Sequence, residues 1–197
     1  MCGLNERILL AAQAIDAANA LDPNLVTVRG VREPLALVHG RLAVEWVQVL
    51  RPDADPLLSI AARAHHLRRW ELPRSGYPEG KAGYHRWKRD QRQRHADDVA
   101  ALLAPLGFSD DDIAAVQRWI RREALNTDTG SQAVEDAACL VFIETQLADV
   151  ATKLDHDHLV DVIRKTAKKM SPAALDAVGR IPLGDVEQRL LAEALAG

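Results

Sequence analysis

The stretch that decides the fold is residues 57–70, LLSIAARAHHLRRW. Wound at 3.6 residues per turn, its centre is apolar on nearly all sides. That predicts an interior helix, opened by Asp55-Pro56 and running from Leu57 to Trp70. A helix without a polar face must be wrapped by other elements, and the rest of the chain supplies helices. Of the 197 residues, 32 are Ala and only eight are Phe, Trp or Tyr. This composition favours helices packed closely through small side chains and argues against a β-sandwich or barrel. The expected fold is all-α, a single compact multi-helix bundle over residues 1–197. Its core would span about 5–170, with C-terminal helices at 171–197 packing on it.

Working outward, Glu6 to Leu21 is periodic and stops at Asp22-Pro23. Pro34 suits the first position of a helix to Leu50, with Leu35, His39, Leu42, Trp46 and Val49 on one stripe. After Trp70 comes the loop ELPRSGYPEGKAG, then a long helix from about Tyr84 to Leu106 ended by Gly107. Ser109, followed by Asp110, Asp111 and Asp112, caps a helix to about Glu123. Ser131 reads as the cap of a helix through Thr152. Shorter helices punctuated by Ser171-Pro172 and Ile181-Pro182 complete the chain. No apolar run approaches the length of a bilayer span, and no secretory pattern is present, so no membrane association is expected. Two cysteines, Cys2 and Cys139, make a poor disulfide framework, and a reducing cytoplasm is the expected compartment.

The net charge of −3 hides an asymmetry. Residues 63–95 carry ten Lys or Arg against three acids, and the remainder carries 15 against 25. The same segment holds four of the seven histidines and four of the eight aromatic residues. A basic, histidine-rich and aromatic segment inside an acidic chain points to a local anion site. The acidic remainder disfavours a long nucleic acid as partner, and a small phosphorylated molecule fits better. The alternative is a solvated basic face.

Chemistry then has to come from polar residues on apolar faces. His39, His66, His95 and Asp136 each sit on such a face of a separate expected helix. Buried ionisable groups need partners, and a divalent metal such as Zn, Mn or Fe is one way to supply them. The bland alternative is a core histidine bonded to a backbone carbonyl. His65 adjoins His66 but points about 100° away on a helix, so both could serve one ion only if the helix ended there. His66 near the end of one helix and His95 well into the next would be offset by roughly 10 Å in a simple antiparallel hairpin. Glu135 is a candidate proton acceptor or orienting group. Arg69, Arg74, Lys81 and Lys88 are candidate phosphate ligands, while Trp70, Tyr77, Tyr84 and Trp87 would stack a base or wall the pocket. The opening Met-Cys-Gly matches amidotransferases with an N-terminal cysteine nucleophile in three residues only, and the β-sandwich they need is missing from the pattern.

The runs ARAHHLRRWELPRSGYP, GYHRWKRDQRQRHAD and SQAVEDAACLVFIE closely resemble a family of small bacterial and fungal proteins of uncharacterised activity. That family shares ARA-x-H-x-x-RW-x-x-PR-x-x-YP, GY-x-x-W and ED-x-x-CLVF-x-E. IDAANALDPN and LVDVIRKTAKKMSP fit it too, so the resemblance covers nearly the whole chain. It implies that His66, Arg69, Trp70, Arg74, Tyr77, Tyr84, Trp87, His95, Glu135, Asp136 and Glu144 belong to the pattern. It also implies that positions 39 and 65, where Tyr and Gln are usual, do not. A weaker resemblance is to the HD-domain metal phosphohydrolases, helical proteins with ligands in the order His, His-Asp, Asp. Here the order is His39, His65-His66, His95, Asp136, and the aspartate of the pair is replaced.

Together these readings lead to an HD-like metal-dependent phosphohydrolase acting on a small phosphorylated molecule or nucleotide. The ion would be held by His66, His95 and Asp136, with His39 as a further ligand. Glu135 and Asp136 are the catalytic candidates. Two alternatives are a non-catalytic anion- or partner-binding helical protein and an iron-dependent oxygenase on the same architecture.

Overall fold

The computed structural model describes residues 3–196. In chain order the helices are α1 (Leu4–Asn19), α2 (Leu35–Leu50), α3 (Pro56–Ala64), α4 (Gly80–Leu103), α5 (Asp110–Arg121) and α6 (Thr129–Thr145). They continue with α7 (Leu147–Ala151), α8 (His156–Ala167), α9 (Pro172–Ala177) and α10 (Asp185–Ala196). The fold is all-α apart from one small hairpin. α3 is the central element as expected: Ile60, Ala61, Ala62 and Ala64 are at most 1% exposed. α1, α2, α5 and α6 pack around it, α4 lies along α5, and α10 packs on α8. The small residues of α3 let these neighbours approach closely. No helix among the described residues is long and apolar enough to cross a membrane. Cys2 lies outside the described residues.

Three expectations need correction. First, α3 ends at Ala64 instead of Trp70. Residues 65–68 form a tight turn in which Arg68 adopts a left-handed conformation (φ 50°) and its amide donates to Asn19 Oδ1 at 3.1 Å. Second, Pro34 is the N-cap of α2 and not its first helical residue, and the segment before it is not a loop. Pro34 ends an antiparallel hairpin of β1 (Leu25–Val28) and β2 (Val31–Pro34) joined by Arg29-Gly30. Both turn residues have positive φ, the geometry of a type I′ turn, which glycine accepts at the second position without steric cost. Third, Ser131 lies inside α6. The cap is Asp128, whose Oδ1 accepts from the Ser131 amide at 2.7 Å, and α6 breaks at Gln146 before reaching Thr152.

The loop between α3 and α4 is held from within. The Arg74 guanidinium donates to the carbonyls of Tyr77 (2.9 Å) and Pro78 (2.8 Å). Trp87 Nε1 and Gln91 Nε2 both donate to Leu72 O, and Tyr77 Oη donates to Asp90. The loop is folded so tightly onto α4 that a Cβ on Gly83 would sit 1.9 Å from Pro78 O. Gly83→Ala is therefore expected to lower stability by about 1–3 kcal/mol, or roughly 2–10 °C in Tm. Gly76→Ala, whose Cβ would meet nothing within 4 Å, should stay within about 0.5 kcal/mol. Paired thermal melts decide; equal Tm values would mean that the close approach is not a constraint.

Candidate functional site

The early end of α3 changes what its histidines can do. On a continued helix His65 and His66 would diverge. In the turn they stack, with ring centres 4.0 Å apart. His66 then lies 5.3 Å from the ring of His39 on α2 and 6.2 Å from that of His95 on α4. The offset expected between His66 and His95 disappears because the chain doubles back immediately after Ala64. Four imidazoles thus meet in one place, three of them at most 2% exposed.

Their tautomers follow from hydrogen-bond logic. Thr145 Oγ1 gives its single proton to Val141 O (2.7 Å), so it accepts from His39 Nε2 (3.0 Å). His39 Nδ1 therefore carries a lone pair and accepts from His66 Nδ1 (3.1 Å). His65 Nδ1 donates to Ala62 O and His95 Nδ1 to Leu67 O, each at 2.7 Å. The Nε2 atoms of His65, His66 and His95 are left as bare acceptors. Those of His65 and His95 are buried and have no partner. Burial, the first cause in each case, holds all four imidazoles neutral, with Arg69 adding to it at His39 and His95. His39 is pushed down to about 4 and His95 to about 3.

His65, His66 and His95 are among the residues lining a cavity of about 230 Å³ between α4, α6 and α8. A third unpartnered acceptor joins them. Gln91 Nε2 donates to the carbonyls of Arg69 and Leu72, which leaves Oε1 buried without a donor. The same wall carries Arg69, Lys88, Arg92, Arg122 and Lys169, against a single acid, Glu135. Arg69 stacks on Trp87 at 4.6 Å and, among the described residues, has no carboxylate within ion-pair distance. Burial, then Lys169 and Arg92, push the Lys88 ammonium down to about 8. Burial raises Glu135, but Arg122 and Arg92 outweigh it and hold the carboxyl below its ordinary value. Its Oε2 lies 3.1 Å from both guanidinium groups.

The cavity therefore gathers His66, His95, Arg69, Tyr84, Lys88 and Glu135 from among the expected residues. His39, Trp70 and Trp87 line a neighbouring cavity that shares His66 and Arg69. Asp136 is not brought to the histidines. Its oxygens accept from the Ser171 amide (2.8 Å), Ser171 Oγ (2.7 Å) and Gln132 Nε2 (2.8 Å), which ties α6 to the start of α9. Neither the metal-ligand nor the catalytic role expected of Asp136 fits that placement, and the HD ligand order fails with it. Arg74 and Tyr77 are spent on the loop, and Lys81 is exposed at the start of α4. Glu135 is pinned by two arginines, and its lowered pKa makes it a poor proton acceptor. Sequence reasoning missed Arg92, Arg122 and Lys169 as wall residues, and set His65 aside. Only the basic run around Lys165–Lys169 hinted at a contribution from α8.

Among the described residues, no group of three or more His, Cys, Asp or Glu side chains stands ready-arranged for a metal. Two imidazoles bound through Nε2 to one tetrahedral ion have ring centres about 5 Å apart, given Zn–N distances near 2.0–2.1 Å. The His65–His66 pair is closer than this and the His66–His95 pair wider. Ring shifts on the order of 1 Å would bring them to that spacing. No curated protein matches the chain, and no solved structure does. Residues 10–191 match the family described as a domain of unknown function, DUF4202. The chain belongs to that family.

Proposed function

We propose that this protein is a metal-dependent phosphohydrolase acting on a small phosphorylated molecule. The observation that carries the reading is the pairing of opposites in one cavity. Bare acceptors of His65, His95 and Gln91 share a wall with five cations. An anion alone answers the cations and leaves the acceptors facing negative charge. A divalent ion on the Nε2 atoms of His65, His66 and His95, with a phosphoryl group beside it, answers both. The Nδ1–H bonds to Ala62 O and Leu67 O are the outer contacts that orient metal-binding histidines.

A divalent ion held by His65, His66 and His95 would supply a water ionised near neutral pH. Gln91 Oε1, buried without a donor, would accept a hydrogen bond from that water and orient it. Arg69, Arg92 and Arg122 take up the charge that builds on the phosphoryl oxygens. Lys88, with a pKa near 8, is protonated at pH 7 and acidic enough to protonate the leaving oxygen. A second reading is a binding protein that holds a phosphate ester without cleaving it. The ion-paired Glu135 favours it, because no free carboxylate then stands beside the acceptors as a base.

Purified protein is expected to take up about one Zn, Mn or Fe ion per chain. At a hundredfold excess over Kd the ion should raise Tm by roughly 5–10 °C. His95→Ala should lose both the ion and the shift. Elemental analysis without metal, together with an unmoved Tm, would leave only the binding reading.

The neutral histidines also set a pH dependence in metal-free protein. Unfolded histidines protonate below about 6.5. The folded ones resist this down to about 4 at His39 and about 3 at His95. The unfolded state thus binds more protons, and stability is present above pH 6.5 and lost as pH falls. At pH 5 each of these two costs roughly 2 kcal/mol, so Tm should drop by about 10 °C between pH 7 and pH 5. A flat Tm in scanning calorimetry over that range would contradict buried neutral imidazoles.

A further inference from the structure

The inner cavity does not end at Lys88. A second cavity of about 820 Å³ adjoins it, sharing Lys88, Arg92, Glu135 and Lys169 in its wall and continuing along the last turn of α8 and the outer face of α4. Its further cations include Arg89, Arg121, Lys165 and Lys168. Some of these are occupied: Arg89 pairs with Asp90, Arg121 with Glu123 and Lys165 with Asp161. Arg69, Lys88 and Lys168 have no carboxylate within ion-pair distance among the described residues, and Lys169 reaches Glu135 only at 4.0 Å. These four underused cations run from the inner cavity to the rim. Cations at the end of α8 have a structural use against its helix dipole. Lys88, on a different helix and packed against them, gains nothing from that dipole.

The volumes divide the work. About 230 Å³ is below the usual range for a whole small-molecule ligand, while about 820 Å³ is within it. A single phosphate beside Arg69 and Arg122 would leave the outer cations unanswered. A chain of phosphates would follow them outward.

We propose that the ligand is a linear oligophosphate, two or more phosphoryl groups in a chain. Its terminal group sits by Arg69 and Arg122, and its remainder lies along Lys88, Lys169 and Lys168. This rests on the phosphoryl-binding reading above and names its substrate class.

The test is calorimetric titration of metal-free protein, with chelator present, using orthophosphate, pyrophosphate and tripolyphosphate at pH 7. Affinity should rise about tenfold for each added phosphoryl group, the worth of one charge-assisted contact. Lys168→Ala, at an exposed position, should weaken tripolyphosphate about fivefold or more and leave orthophosphate unchanged. Arg51→Ala, which removes a charge at a different cavity, should change neither, so a general effect of net charge is separated. Equal affinity for the three anions overturns the proposal, as does a Lys168→Ala variant that weakens all three alike. Tighter binding of a short oligothymidylate than of tripolyphosphate also overturns it, in favour of a nucleic-acid end. Metal uptake and hydrolysis are not read in this experiment, so the ladder can fail while the metal site stands, and the reverse.

Discussion

The end of a helix leaves carbonyls without partners, and a buried end must find donors for them. In this protein the donors are the histidines. His65 Nδ1 answers Ala62 O at the end of α3, and His95 Nδ1 reaches across from α4 to Leu67 O in the turn beyond it. One pair of hydrogen bonds thereby does two jobs. It stabilises a helix terminus inside the core, and it commits both imidazoles to the tautomer that keeps Nε2 bare. Asn19 completes the turn by accepting from the Arg68 amide. Without this early stop, His65 and His66 would point to different sides of a continuous helix.

The electrostatics follow from the same burial. An overall acidic chain concentrates five cations around a cavity that it also lines with neutral imidazoles. Burying like charges together costs free energy, and the cost shows at Lys88, whose proton is loosened by its surroundings. Glu135 offsets only part of it. Its carboxylate lies between Arg92 and Arg122 and fixes where those guanidinium groups stand. The cavity thus keeps an excess of positive charge that the fold itself does not relieve.

Much of the architecture was legible in the sequence because helix signals are local. The apolar centre of α3, the Ser109 capping box and the stop at Gly107 all stand where the residues place them. The hairpin at Leu25–Pro34 was not anticipated, since four-residue strands carry little periodicity and Pro34 reads equally as a helix start. The site was legible in part. His66, His95, Arg69 and Lys88 could be singled out from charge and stripe patterns. Asp136 misled, because a buried acid on an apolar face looks the same whether it binds a metal or accepts from Ser171, the cap residue of a distant helix. Arg122 could not be foreseen, as its position depends on a left-handed residue (φ 61°) ending α5. No local pattern demanded that conformation.

The loop from Glu71 to Glu79 has a consequence for traffic through the site. Its Pro and Gly content suggests a flap, yet Arg74, Trp87, Gln91 and Tyr77 pin it from within, and its backbone presses on Gly83. Lifting it would break these bonds together. On the phosphoryl-binding proposal, exchange would run through the cationic mouth between α4 and α8 without the loop having to lift. Arrival is then a matter of attraction over distance, and ionic strength, which screens that attraction, sets how fast the site refills.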